Sequence, residues 1–148
     1  TGDVGYFDDQ GRIWFCGRKA HMCNSGDETY YSVKVEYCFS GLAGINRVAL
    51  VNISLNGQKV LALCIEPTQR FMSPTARRTI VTDIVQVARR YRIPLRVIAF
   101  HARQFPVDKR HHAKIERHLL AKWVQDSLTR LRCNWAIYHV SMTNIAAR

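Results

Sequence analysis

The sequence predicts an α+β domain in which a small β-hairpin is followed by a central three-stranded sheet covered by helices. Three observations carry this reading. Two pairs of β-branched or aromatic runs flank turn signals, Asp8-Asp9-Gln10-Gly11 in the first and Asn56-Gly57 in the second. Apolar residues recur at helical spacing after Ser73-Pro74. Strand-like and helix-like segments then succeed one another as hairpin, helix, hairpin, helix, strand, helix, which gives a small sheet with helices laid on it. At 148 residues the chain has the length of one domain and can bury a real core. It has no initiator methionine and opens inside what reads as a motif, so a fragment of a longer protein is expected.

Taken in order, residues 6–15 place the Asp8–Gly11 turn between aromatic-rich strands, and Gly17-Arg18 closes the second. Residues 24–29 are polar and turn-like. From Ser32, the spacing of Val33, Val35 and Phe39 predicts a short helix with a serine N-cap, although its valines lower helix propensity. Residues 47–52 and 59–65 are β-branched and apolar, and the Asn-Gly between them suits the positive φ angles of a type I′ turn. Ser73 and Pro74 supply an N-cap and a first-turn proline for a helix carrying Ile80, Ile84, Val87, Ala88 and Tyr91. Ile93-Pro94 ends it, and residues 95–100 read as the third core strand. A polar, histidine-containing loop over 101–113 leads to a last helix with Ile115, Leu119, Leu120 and Trp123 on one face and Lys114 at its beginning. After Gln125 the tail has no clean periodicity.

Charge is divided unevenly along the chain. Residues 1–69 carry 6 Lys/Arg against 7 Asp/Glu, whereas residues 70–148 carry 16 against 4. Such a basic half attracts nucleic acid, an acidic membrane or a polyphosphate ligand through its summed field, and composition does not choose among them. No apolar run approaches the ~20 residues of a spanning helix, and no charged-then-apolar leader is present. Five cysteines at irregular spacing, with no C-x-x-C pair, suit reduced thiols in a cytoplasmic protein. Cys16 and Cys23 alternate with apolar strand residues and read as packing groups. Tyr6, Trp14 and Phe15 read as core or cross-strand hairpin residues. His101, His111, His112 and His118 lack metal-ligand spacing, and no metal site is predicted.

Two segments carry candidate chemistry. Thr1-Gly2-Asp3 is followed by Gly17-Arg18-Lys19, and Phe105-Pro106-Val107-Asp108 runs into Ala113-Lys114-Ile115. A carboxylate suits two vicinal hydroxyls, an arginine suits a ribose or phosphate oxygen, and a lysine point charge suits a phosphate gaining charge. Read alone, Asp3 is a turn residue, Arg18 a surface charge and Lys114 a solvated lysine. At a helix start, however, a lysine opposes the dipole and calls for another reason.

In order and separation these motifs resemble the C-terminal domain of the AMP-forming adenylating superfamily, over roughly residues 1–124. That superfamily contains acyl-CoA synthetases, peptide-synthetase adenylation domains and luciferases. The wording of residues 14–21 and 105–115 is most similar to its OleC branch, the β-lactone synthetases often labelled fatty-acid–CoA ligases. The resemblance implies that Asp3 and Arg18 bind the nucleotide, that Lys114 contacts the phosphate and carboxylate during adenylation, and that Lys19-Ala20 is a hinge. It implies ATP and Mg²⁺, a carboxylic-acid substrate that is fatty acyl or β-hydroxy, and an N-terminal adenylation domain as partner. Residues 1–19 would end that domain, residues 20–124 would form the mobile lobe, and residues 125–148 a tail. Ala20 and His21 stand where relatives commonly carry Asp or Lys and then Asp, and Ala113 where they carry Gly. The usual polar stabilisation of one domain orientation is then absent, so CoA is a doubtful participant. The competing reading is a basic nucleic-acid or anionic-partner module, but no nucleic-acid motif accompanies the arginines.

Overall fold

The computed structural model describes residues 2–110, 114–130 and 136–141. It begins with a hairpin of β1 (Asp3–Phe7) and β2 (Ile13–Arg18). At the hairpin tip Asp8 accepts from the Gln10 and Arg12 amides, at 3.0 and 2.9 Å, and from the Trp14 indole at 2.8 Å. The Trp14 bond, followed by the Arg12 amide, holds the Asp8 carboxyl down at about 2. Tyr6 stands opposite Trp14 and Phe7 opposite Ile13, so the cross-strand pairing is as expected. The core alternative fails: Tyr6, Trp14 and Phe15 are 48%, 47% and 57% exposed, and Phe15 stands opposite Gly5, while Phe7 and Ile13 are 71% and 72% exposed.

A single 3₁₀ turn, Lys19–His21, then leads into β3 (Met22–Ser25) and β4 (Glu28–Tyr31). The second pairs antiparallel with the first, so the segment expected to be only a turn is a hairpin. It is tied to the sheet from outside: Asn24 N donates to Asn52 Oδ1, and Asn52 Nδ2 to Asn24 O, both at 2.8 Å. α1 (Ser32–Phe39) follows. Ser32 is not its N-cap. Tyr31 holds that position without a side-chain bond, and Ser32 is buried in the first turn, its Oγ bonded to no described residue.

The central sheet has the order β5 (Ile45–Leu55), β6 (Gln58–Pro67), β7 (Leu95–Phe100), β8 (Ile137–His139), one strand more than predicted. Asn56 at φ 51° and Gly57 at φ 77° close the first hairpin in the left-handed region that a type I′ turn requires. β6 and β7 run parallel because α2 (Pro74–Arg90) crosses between them. Ser73 caps α2 by accepting from Ala76 N at 3.1 Å. α3 (Arg117–Thr129) starts three residues after Lys114, with Glu116 at its N-cap. Its inner face is Leu120 and Val124; Leu119, expected inside, is 41% exposed. The tail contributes β8, which is antiparallel to β7.

The sheet is buried on both faces. Leu50, Leu61, Leu63, Ile65 and Ile98 meet Ile80 and Ile84 of α2 together with Phe39 of α1. Ala49, Val51, Ala62, Cys64 and Val97 meet Leu120 and Val124 of α3. Each such fully buried side chain contributes about 1.5–3 kcal/mol, so this layer, not the hairpin of β1 and β2, holds the domain. Cys16, Cys23 and Cys64 are buried in keeping with a packing role. Burial pushes the Cys23 thiol up to about 11 and Cys64 to about 12, which keeps both protonated and inert.

Candidate functional site

The two motif segments are linked by the electrostatics of one side chain, His21, on which charges from both act. Asp3 and Arg18 are opposite residues of β1 and β2, and Asp3 Oδ1 lies 3.5 Å from Arg18 Nε, with both side chains 51% exposed. A pair so open to water is worth little and exchanges readily for a ligand. Lys19 N donates to Gly2 O at 2.8 Å, which closes the base of the hairpin. Gly17, at φ +124°, brings β2 against α1, where an added Cβ would lie 3.3 Å from Val33 Cγ2. Past this contact the chain is thinly anchored: Lys19 and Ala20 are exposed, and the 3₁₀ turn contains no buried residue.

Lys114 is presented differently. Asp108 N donates to Lys114 O at 2.9 Å, Glu116 N donates to Pro106 O at 2.8 Å, and Val107 bridges Ile115. Phe105, at the root of this loop, is buried, and its amide donates to Glu66 Oε2 at 2.5 Å. The backbone at Lys114 is therefore pinned while the residue itself is exposed, and its amine forms no ion pair with a described residue. It precedes α3 by a short ladder, so the expected placement at the helix start is corrected. Thr1, His111, His112 and Ala113 lie outside the described residues.

His21 is within electrostatic reach of both segments. Burial first, and then the positive charges of Arg117, Lys114 and Arg18, lower its pKa and favour the neutral imidazole. Charges from the first motif and the second thus act on one side chain. Sequence reasoning missed the pair that builds this arrangement. Arg117 grips both Glu36 oxygens, Nη2 to Oε2 at 3.0 Å, while Glu36 Oε1 accepts from Leu50 N at 2.7 Å. Arg117 Nη1 also donates to Glu36 Oε1 and to Leu50 O. This largely buried pair locks the start of α3 to α1 and the middle of β5. Its members are 81 residues apart and carry no short-range signal, although an Arg in the first turn of a helix, against the dipole, was a hint.

Among the described residues no three His, Cys, Asp or Glu side chains cluster to hold a metal. His101 is packed edge-on to Phe105 and Trp123, and its Nδ1 meets Arg103 O at 2.7 Å.

Over 128 residues the chain is 40% identical to an olefin β-lactone synthetase of Stenotrophomonas maltophilia, a match spanning 86% of this chain and 23% of that protein. It is 38% identical over 123 residues to the olefin β-lactone synthetase of Xanthomonas campestris pv. campestris, spanning 82% of this chain and 22% of that protein. The chain belongs to the AMP-forming adenylating superfamily.

Within that superfamily it matches the C-terminal domain. The fold agrees with the crystal structure of the anthranilate CoA ligase AuaEII in complex with anthranoyl-AMP, at a TM-score of 0.71 and 19% identity, over 86% of this chain and 24% of that one. No family model matches the chain. The chain spans less than a quarter of the length of the β-lactone synthetases it matches. No helix among its described residues is long and apolar enough to cross a membrane.

Proposed function

We propose that this chain is the mobile C-terminal lobe of an ATP-dependent ligase that activates a carboxylic acid as its acyl-adenylate. The observation that carries the reading is Lys114, exposed and in no ion pair with a described residue, on a loop pinned by the Asp108–Lys114 and Glu116–Pro106 backbone bonds. A substrate carboxylate oxygen attacks the α-phosphorus of ATP. The bond to the bridging oxygen breaks, and pyrophosphate leaves with the electron pair. Charge gathers on the equatorial oxygens, where a preorganised lysine cation is worth most. Asp3 offers two acceptor oxygens to the ribose hydroxyls, and Arg18 donates beside it.

In this reading residues 1–19 end a larger N-terminal domain, Lys19-Ala20 is the hinge, residues 20–124 swing and residues 125–148 follow as a tail. The exposed Phe7, Ile13 and Phe15 face of the hairpin suits contact with that larger domain. The described residues hold no cluster that would take Mg²⁺, so the ligands of an Mg²⁺ accompanying ATP would come from the N-terminal domain. The similarity to β-lactone synthetases supports a β-hydroxy acid as substrate. Its hydroxyl attacks the activated carbonyl, the bond to AMP breaks, the ring closes, and the hydroxyl proton passes to solvent. Ala20, with no polar group to hold a second orientation, disfavours a CoA step.

The test joins the chain to its N-terminal domain and measures pyrophosphate exchange into ATP with a β-hydroxy acid present. Lys114→Ala is expected to lower exchange by about 10²–10³. Unchanged exchange removes Lys114 from the mechanism, and a CoA thioester as the main product removes the lactone reading.

A further inference from the structure

A second concavity lies away from Lys114, at the carboxyl ends of the parallel strands β6 and β7. β6 leads into α2 on one face of the sheet, and β7 leads through a loop to α3 on the other. Where adjacent parallel strands send their connections to opposite faces, a crevice opens beyond their carboxyl ends, and small ligands favour it. Here it is a cavity of about 510 Å³, lined among others by Asn46, Glu66, Thr68, Arg70, Arg103 and Gln104.

Its charge is set by what remains unpaired. Glu66, 3% exposed, is saturated by Arg47, by Asn46 Nδ2 and by the Phe105 amide. The arginine cancels its charge. Arg70 and Arg103 pair with no described carboxylate, and neither the Thr68 hydroxyl nor the Gln104 amide bonds a described residue. Two guanidiniums and two neutral polar groups thus line a space with no free acid in it, which suits a phosphoryl group accepting from arginine forks. An apolar annex of about 90 Å³, lined by Phe71, Met72 and Phe100, shares Arg70 and His101 with this basin. Phe71 is 85% exposed, and Arg70 Cζ lies 5.5 Å from its ring centroid. An open aromatic face beside a cationic basin suits a flat ring attached to the phosphate.

We propose that this crevice binds a small organic phosphomonoester of mononucleotide size, its phosphate between Arg70 and Arg103 and its ring over Phe71. The site is distinct from the face of Lys114 and Arg117. Asn46 opens β5, whereas Arg117 docks at Leu50, four residues or about 13 Å along the strand. The inference does not depend on the ligase reading.

The test titrates the purified 148-residue chain with AMP and, separately, with inorganic phosphate, by calorimetry. AMP is expected to bind more tightly than phosphate. Arg70→Ala with Arg103→Ala, both exposed and unpaired, should weaken AMP at least about tenfold. Phe71→Ala should weaken AMP and leave phosphate unchanged. Arg89→Ala and Arg90→Ala, at the far end of α2, should bind AMP as the wild type does. Three results overturn the proposal: no binding of millimolar AMP, phosphate binding as tightly as AMP, or loss of AMP in Asp3→Asn while the double arginine variant keeps it.

Discussion

Glu66 shows how a single buried acid is kept charged. Burial pushes its pKa up, but bonds from Arg47, the Phe105 amide and Asn46 outweigh burial and leave it below its ordinary 4.5. A carboxyl lowered by folding stabilises the native state above its unfolded pKa, and that contribution is lost as pH falls through the folded value. Stability should therefore decline as pH drops below 4.5. Arg47→Ala leaves the carboxylate buried with two donors, at a cost of about 3 kcal/mol at neutral pH. Urea unfolding of both proteins from neutral to acidic pH checks this, with the variant expected to show a smaller acid-dependent loss. Equal stability of the two proteins at neutral pH would remove the pair as a structural element. Asp3 and Arg18 contrast with it. Both are exposed on one short hairpin, so they were legible as candidate nucleotide ligands without any distant partner.

Among the elements, those whose cause is local were legible and the others were not. The Asn56-Gly57 turn and the Ser73-Pro74 helix start are specified within a few residues, and both stand where the spacing placed them. The hairpin of β3 and β4 was hidden because its own residues are polar, and its order comes from Asn52 on a distant strand. Leu119 fell outside the core because α3 begins at Arg117, held there by Glu36. The local origin of the turn gives a clean test. A Cβ at Gly57 would meet nothing within 4 Å, so Gly57→Ala adds backbone strain alone, worth about 1–2 kcal/mol. Chemical denaturation should show a lower midpoint at an unchanged slope, and an unaltered midpoint would mean that the turn does not need its positive φ.

For the whole molecule, the described arginines of the basic half fall into separate groups. Arg89 and Arg90 end α2, whereas Arg70 and Arg103 lie at the carboxyl ends of β6 and β7, near its start. A helix of 17 residues separates the two groups by about 25 Å. Groups that far apart do not converge on one site and no base-reading motif accompanies them, so oligonucleotide binding at physiological salt should be weak and independent of sequence. Fluorescence anisotropy over a salt series checks it, and tight binding with a steep salt slope would restore the nucleic-acid reading.

By itself the sequence determined the class of fold, the turn and helix starts that punctuate it, and the candidate residues for a nucleotide, because each of these depends on neighbours a few positions away. Only the tertiary structure decided that the charges of Arg18 and Lys114 both reach His21, that Arg117 locks α3 to α1, and that two arginines with no described carboxylate partner share a crevice. Those arrangements depend on groups distant in the chain brought together by burying both faces of one sheet, and no local pattern encodes that packing.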